Sequence, residues 1–287
     1  MMIPALAQRV SSSVLLMAVL LAAFVWAPVT ALLLILLAVA SLATLEFYHL
    51  LRAANLPHYP WIGVVCGNAL LVAIGLRYYF PALPAGAAEA NALFLTTILV
   101  LLRQFPQKLN PRPLETMAGT LLGVLYAPFL LSFLVRLLLQ WGVAGSRWIV
   151  LFPILIVKTS DMGAYFTGCT LGRHKLIPRL SPAKTWEGFF GGLAFALAGG
   201  LLWWYFSGGR IGPLRLPLLH AIALPLTIAL AGVMGDLTES LMKRAAGVKD
   251  AASYIEGMGG VLDVIDSILF AAPSMFFYAL IFLRTAP

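Results

Sequence analysis

Long apolar runs, broken at short intervals by prolines or by small groups of charges, make up most of the chain. Runs near 12–26, 29–47, 61–80, 88–103, 114–139, 147–168, 185–206, 217–241 and 262–284 approach or exceed the roughly 20 residues that a helix needs to cross about 30 Å of hydrocarbon. The period-2 alternation of a barrel strand is not evident in them. Pro28, Pro57 with Pro60, Pro81 with Pro84, Pro106 with Pro111 and Pro113, and Pro213 with Pro217 punctuate the runs, each cluster stopping a helix or disfavouring its continuation. The pattern predicts an all-α integral membrane protein, a polytopic bundle of about nine transmembrane helices. Arg9 ahead of the first run resembles the start of a secretory signal, but a second apolar run follows within three residues, so the first is read as a retained span.

Composition agrees with that solvent: 61% of residues are hydrophobic and 10% charged, and the mean hydropathy is +0.95. Spans consume nearly the whole length, so a single membrane domain over 1–287 is expected. Its N-terminal spans (1–145) are read as a lipid-facing scaffold and its C-terminal spans (146–287) as carrying the chemistry. Twelve Lys and Arg residues fall in loops on the N-terminal side of a nine-span arrangement and six on the other. By the positive-inside rule this predicts a multi-pass protein of the cell inner (cytoplasmic) membrane, with the polar loops near 169–184 and 242–261 facing the cytoplasm. The net charge of +8 is explained by that topology and by attraction to anionic headgroups, and nucleic acid is not an expected partner. Cys66 and Cys169 form no ligand set and are read as small apolar fillers.

Against this apolar background eight of the eleven carboxylates lie between Asp161 and Asp266. An ionised side chain at membrane depth costs at least a few kcal/mol, so such clusters face a cavity, a metal or a substrate. Lys158 and Asp161, three apart, share a helix face; a buried ion pair holding helices together is the plain alternative to a site. Beyond them Arg173, His174, Lys175, Arg179 and Lys184 alternate with Ser181, Thr185 and glycines, a composition that suits polyphosphate. Ser181 with Pro182 reads as a helix start, Thr185 lying in its first turn where anions are favoured; an ordinary positive-inside loop is the alternative. Further on, Asp236, Ser240 and Lys243 fall on one helical stripe with Glu239 beside them, and Asp263 and Asp266 share a face of the last helix. Asp236 and Asp263 can meet where those helices neighbour each other, and two converging carboxylates suit Mg²⁺, which keeps several waters and takes phosphate oxygens as further ligands. A proton or ion pathway would explain the acids but not the basic, glycine-rich loops beside them.

Ser240 to Asp266 follows the pattern S-x-x-K-R-x4-K-D and then G-x-G-G-x-x-D-x-x-D. Together with SPAKTWEG from Ser181 to Gly188, DMGAYF from Asp161 to Phe166 and GRHKL from Gly172 to Leu176, it resembles the phosphatidate cytidylyltransferases, or CDP-diacylglycerol synthases. The resemblance implies a nucleotidyltransferase that moves a cytidylyl group from CTP to phosphatidic acid, releasing pyrophosphate. It implies catalytic roles for Asp236, Asp263, Lys243 and Lys184, a Mg²⁺ site on Asp236 and Asp263 with Asp266 as an additional acid and a second cation as an option, and substrate contacts from Lys175, Ser181, Thr185, Ser240, Arg244, Lys249 and Asp161. Where the family carries Pro, His and Arg, this chain has Glu256, Met258 and Val264, which removes an imidazole and a guanidinium able to contact phosphate. A related CTP-using lipid or isoprenoid kinase or cytidylyltransferase, and a non-catalytic lipid-binding or transport paralogue, are the alternatives. Expected partners are CTP, phosphatidic acid and membrane lipids, with a homodimer as the one protein partner entertained.

Overall fold

The computed structural model describes residues 26–80, 86–105, 110–248 and 259–285. Nearly all of the expected span at 12–26, together with Lys249, Glu256 and Met258, lies outside them. With no water at membrane depth to take up backbone N–H and C=O groups, each apolar run satisfies its own as a helix. In chain order these are α1 (Val29–Ala53), α2 (Pro60–Tyr79), α3 (Ala87–Leu102), α4 (Pro113–Val124), a π turn (Leu125–Phe129) leading into α5 (Leu130–Leu139), α6 (Val143–Leu171), α7 (Trp186–Phe206), α8 (Leu218–Ala245) and α9 (Val261–Phe282). Seven spans are long and apolar enough to cross a membrane, with α4 to α5 forming one of 27 residues. α3 has only 16 residues, so the described residues hold seven full spans and one short apolar helix rather than nine spans.

Pro60 and Pro113 open their helices at first-turn positions, where the missing N–H costs nothing. Pro128 instead lies inside a span; its ring and absent N–H spoil the regular ladder, and the chain widens into the π turn there. Small residues set how close the helices come. Gly63 and Gly123 flank the Tyr48 ring so tightly that a Cβ on either would overlap it, and the Tyr48 hydroxyl donates to the Thr120 carbonyl at 2.8 Å. On α7, Gly188, Gly192, Ala196 and Gly200 recur every fourth residue and are all buried. A Cβ on Gly188 would stand 2.9 Å from the Ala164 carbonyl and one on Gly192 3.0 Å from that of Ser160, while one on Gly200 would strike the Pro225 ring. This stripe lets α6 and α8 close on α7, the packing mode favoured where lipid removes the hydrophobic drive.

The polar segment after α6 is not an open loop. Lys175–Ile177 (β1) pairs antiparallel with Ser181–Thr185 (β2), Lys175 opposite Thr185 and Ile177 opposite Ser181. The helix start expected at Ser181 and Pro182 is therefore corrected: that stretch satisfies its backbone across the hairpin, and α7 begins at Trp186. Thr185, extended at φ −126° and ψ 156°, caps it, its Oγ1 accepting from the Gly188 N–H at 3.1 Å. A smaller hairpin, Arg210–Ile211 (β3) with Leu214–Arg215 (β4), closes the opposite end of the bundle.

Candidate active site

Helix polarity brings the C-terminal ends of α1, α6 and α8, the N-terminal ends of α7 and α9, and the β1–β2 hairpin to one end of the bundle. α8 and α9 run antiparallel, with Gly235 against the Asp266 backbone so closely that a Cβ would run into its carbonyl. That register sets Asp236 level with Asp266, and Glu239 and Lys243 level with Asp263. Lys243 Nζ lies 2.8 Å from Glu239 Oε2 and 2.5 Å from Asp263 Oδ1. Asp263 also accepts from the Gly260 N–H at 2.7 Å through Oδ2. Two turns before Lys243 along α8, Asp236 Oδ2 pairs with Lys184 Nζ of β2 at 2.6 Å, and Ser240 donates to Asp236 Oδ1 at 3.4 Å. Asp236 and Asp263 thus stand at the same end of α8 and α9, each against its own lysine.

Asp161 pairs with Lys158 at 3.4 Å, the i,i+3 contact that the sequence predicts. The charges of Lys158, Asp236 and Lys184 act on Asp161, and those of Asp236, Asp161 and Lys158 act on the buried Asp266. Three carboxylates and two ammonium groups therefore share one region. Their donors are all hard oxygen, the kind Mg²⁺ takes. Among the described residues no three His, Cys, Asp or Glu side chains gather closely enough to enclose a metal. Mg²⁺ needs no such cage, since one or two carboxylates with waters and phosphate oxygens complete its octahedron; Asp236 and Asp266 fit that need.

The remaining expected contacts frame this centre. Lys175 is exposed on β1, and Ser181 is half-buried at the start of β2. Thr185 serves as the α7 cap. Arg244 Nε donates to the Leu180 carbonyl at 3.2 Å, tying α8 to the hairpin turn. Val264, in place of the family's arginine, packs against the apolar core.

Three contributors were missed from sequence or named without a role. Glu187 accepts from the Arg173 and His174 N–H groups at 3.1 and 3.2 Å and holds His174 Nδ1 at 2.6 Å, stapling the hairpin to α7. Glu46, buried in α1, accepts from the Val261 and Leu262 N–H groups at 2.9 and 2.7 Å and so caps α9 from across the bundle. A lone acid inside an apolar run was the only signal of it. Tyr126, in the π turn, buries a hydroxyl that lacks a hydrogen-bond partner, within the field of Glu239, Asp266, Asp236 and Asp263.

Known proteins are similar to this chain in sequence. An uncharacterized protein of Escherichia coli, YnbB, is 36% identical over 169 residues, 58% of this chain and 54% of that one. A phosphatidate cytidylyltransferase of Haemophilus influenzae is 43% identical over 126 residues, 44% of this chain and 43% of its own length. Another of Bacillus subtilis is 28% identical over 244 residues, 84% and 87%. The chain thus spans about half the length of the first two relatives and most of the third. A profile of the Cytidylyltransferase family matches residues 7–282, and the chain belongs to that family.

Proposed function

We propose that this membrane protein transfers the cytidylyl group of CTP to phosphatidic acid, giving CDP-diacylglycerol and pyrophosphate. The observation that carries the reading is the pairing of Lys184 with Asp236 and of Lys243 with Asp263 at one end of the bundle, beside Asp161 and Asp266. The activity named for the relatives in Haemophilus and Bacillus supports it.

In this reading a phosphate oxygen of phosphatidic acid attacks the α-phosphorus of CTP, a new P–O bond forms, and the bond to the β-phosphate oxygen breaks. Such transfers need positioning and neutralised charge more than covalent help from the protein. Lys184 and Lys243 are held by carboxylates on rigid helices and a hairpin, so they reach the phosphates with little reorganisation. Arg244 and Lys175 add charge at the mouth, and the Thr185 cap fixes how α7 enters. Asp236 and Asp266 would hold Mg²⁺, which when bound neutralises phosphate oxygens and orients the triphosphate. An inner-membrane location with this end toward the cytoplasm, where CTP is made, fits the excess of basic residues on the same side.

Purified protein in detergent, given radiolabelled CTP and phosphatidic acid, should place label in a lipid product only when Mg²⁺ is present, and Asp263→Ala should abolish it. Absence of metal-dependent CTP turnover with any phospholipid or polyprenyl-phosphate acceptor would overturn the reading.

A further inference from the structure

The end of the bundle opposite the acids carries a second feature that the proposed reaction does not use. A cavity of about 740 Å³ opens between α6 and α7, lined by Trp148, Ile156, Thr159, Leu202, Trp203 and Arg210 among others. Its size falls within the roughly 300–1,000 Å³ of small-ligand sites. It runs along α6 from Trp148 to Thr159, about 16 Å at 1.5 Å per residue, which is close to half of a hydrocarbon core of about 30 Å. α7 is the least buried of the spans, with 17% of its apolar window covered, so the cavity is open to the bilayer.

At its mouth stands the β3–β4 hairpin. Ile211 and Leu214 turn inward and are fully buried, which leaves Arg210 and Arg215 directly opposite each other and exposed. Like charges across a strand pair are destabilising. Arg284 joins them, its carbonyl accepting from the Arg215 N–H at 2.9 Å. Among the described residues none of the three arginines takes part in an ion pair with a carboxylate. The hairpin is firmly set: Trp203 Nε1 donates to the Arg210 carbonyl at 3.0 Å, and Gly212, at φ +56°, sits against the Gly145 backbone where a Cβ would collide. Arginines set by a fixed hairpin above a leaflet-deep apolar slot match a phosphate above an acyl chain, and Trp at this level is the ordinary membrane-interface residue.

We infer that this slot binds an anionic phospholipid of the leaflet opposite the acid cluster, with its phosphate on Arg210 and Arg215 and one acyl chain between α6 and α7. The site is separate from the one proposed for CTP and does not depend on that reading.

Full-length protein in nanodiscs, doped with a phosphatidylglycerol that carries a diazirine in its acyl chain, tests it. Adducts mapped by mass spectrometry should fall on residues 155–159 or 199–206. Arg210→Gln with Arg215→Gln should lower them at least fivefold, and a phosphatidylcholine probe should label several-fold less. Leu202→Trp, which fills the slot without changing charge, should also suppress them. Equal labelling by the zwitterionic probe, or adducts unchanged in these variants, would overturn the inference.

Discussion

Lys243→Met isolates the central charge of the candidate site. The side chains of Lys243, Glu239 and Asp263 are 13%, 1% and 10% exposed, and the ammonium lies 2.8 and 2.5 Å from the two carboxylates. At an effective dielectric near 20, an ion pair at 2.8 Å attracts by about 6 kcal/mol before desolvation, which offsets much of it. Removing only the lysine leaves two buried acids facing each other, and loss of one partner of a buried pair costs about 3–5 kcal/mol. For a chain of this size that lowers the melting temperature by roughly 10 °C. Adding Glu239→Gln replaces one of the two facing acids with a neutral amide and should restore at least half of the loss, a coupling that a double-mutant cycle measures directly. CTP turnover should fall by about 100-fold or more in both variants, because the phosphate-binding cation is absent from each. Thermal unfolding in detergent and the labelled-CTP assay, run on the same preparations, separate the two effects. A Lys243→Met protein that melts within about 1 °C of the parent would refute the buried-triad argument, and a double variant with full turnover would refute the role given to Lys243.

Glu46→Ala strands the Val261 and Leu262 N–H groups at the start of α9. Hydrogen bonds to a charged group are worth about 1.5–3 kcal/mol each, so melting and turnover should fall together; Gly260→Ala, whose Cβ would strike the Glu46 carboxylate, should reproduce the loss. Lys184→Ala should do the opposite, cutting turnover by about 100-fold while changing stability by less than about 1 kcal/mol, because its pair with Asp236 is partly solvated. Tyr126→Phe removes a hydroxyl without a protein partner and should leave melting unchanged while raising KM or lowering kcat; unchanged kinetics would remove Tyr126 from the site. His58 stacks on Tyr48 at 5.0 Å, and burial holds its imidazole below the ordinary value, Arg52 adding to the effect and the Leu56 carbonyl opposing it. The stability from neutral His58 is therefore present above about pH 6.5 and lost as pH falls through the lowered folded value, and the melting temperature should drop less between pH 7 and 5 in His58→Gln.

The sequence reveals the spans because hydrocarbon imposes one solution on an apolar run, and it draws the eye to Asp161, Lys184, Asp236, Lys243, Asp263 and Asp266 because charge in such a chain stands out. It does not reveal the β1–β2 hairpin. Strands of three and five residues carry no period long enough to read, and Ser181 with Pro182 has the composition of a helix start. Nor does it reveal which acid meets which lysine, since that depends on the α8–α9 register set by Gly235 against Asp266. Glu46 was hidden for a related reason: its partners are backbone N–H groups, which leave no mark in side-chain pattern. The run at 88–103 is met by α3 almost residue for residue, but its 16 residues fall short of the roughly 20 that a full span needs.

The Glu46 cap also has a consequence in time. Its acceptor and its donors are 215 residues apart, so at translation rates of about 5–20 residues per second some 10 to 40 s separate their emergence from the ribosome. Throughout that interval α1 carries an acid in a lipid setting without the helix end that will receive it. The first described span therefore waits on the last, and a chain halted before α9 leaves α1 with a buried acid that its nascent neighbours do not neutralise.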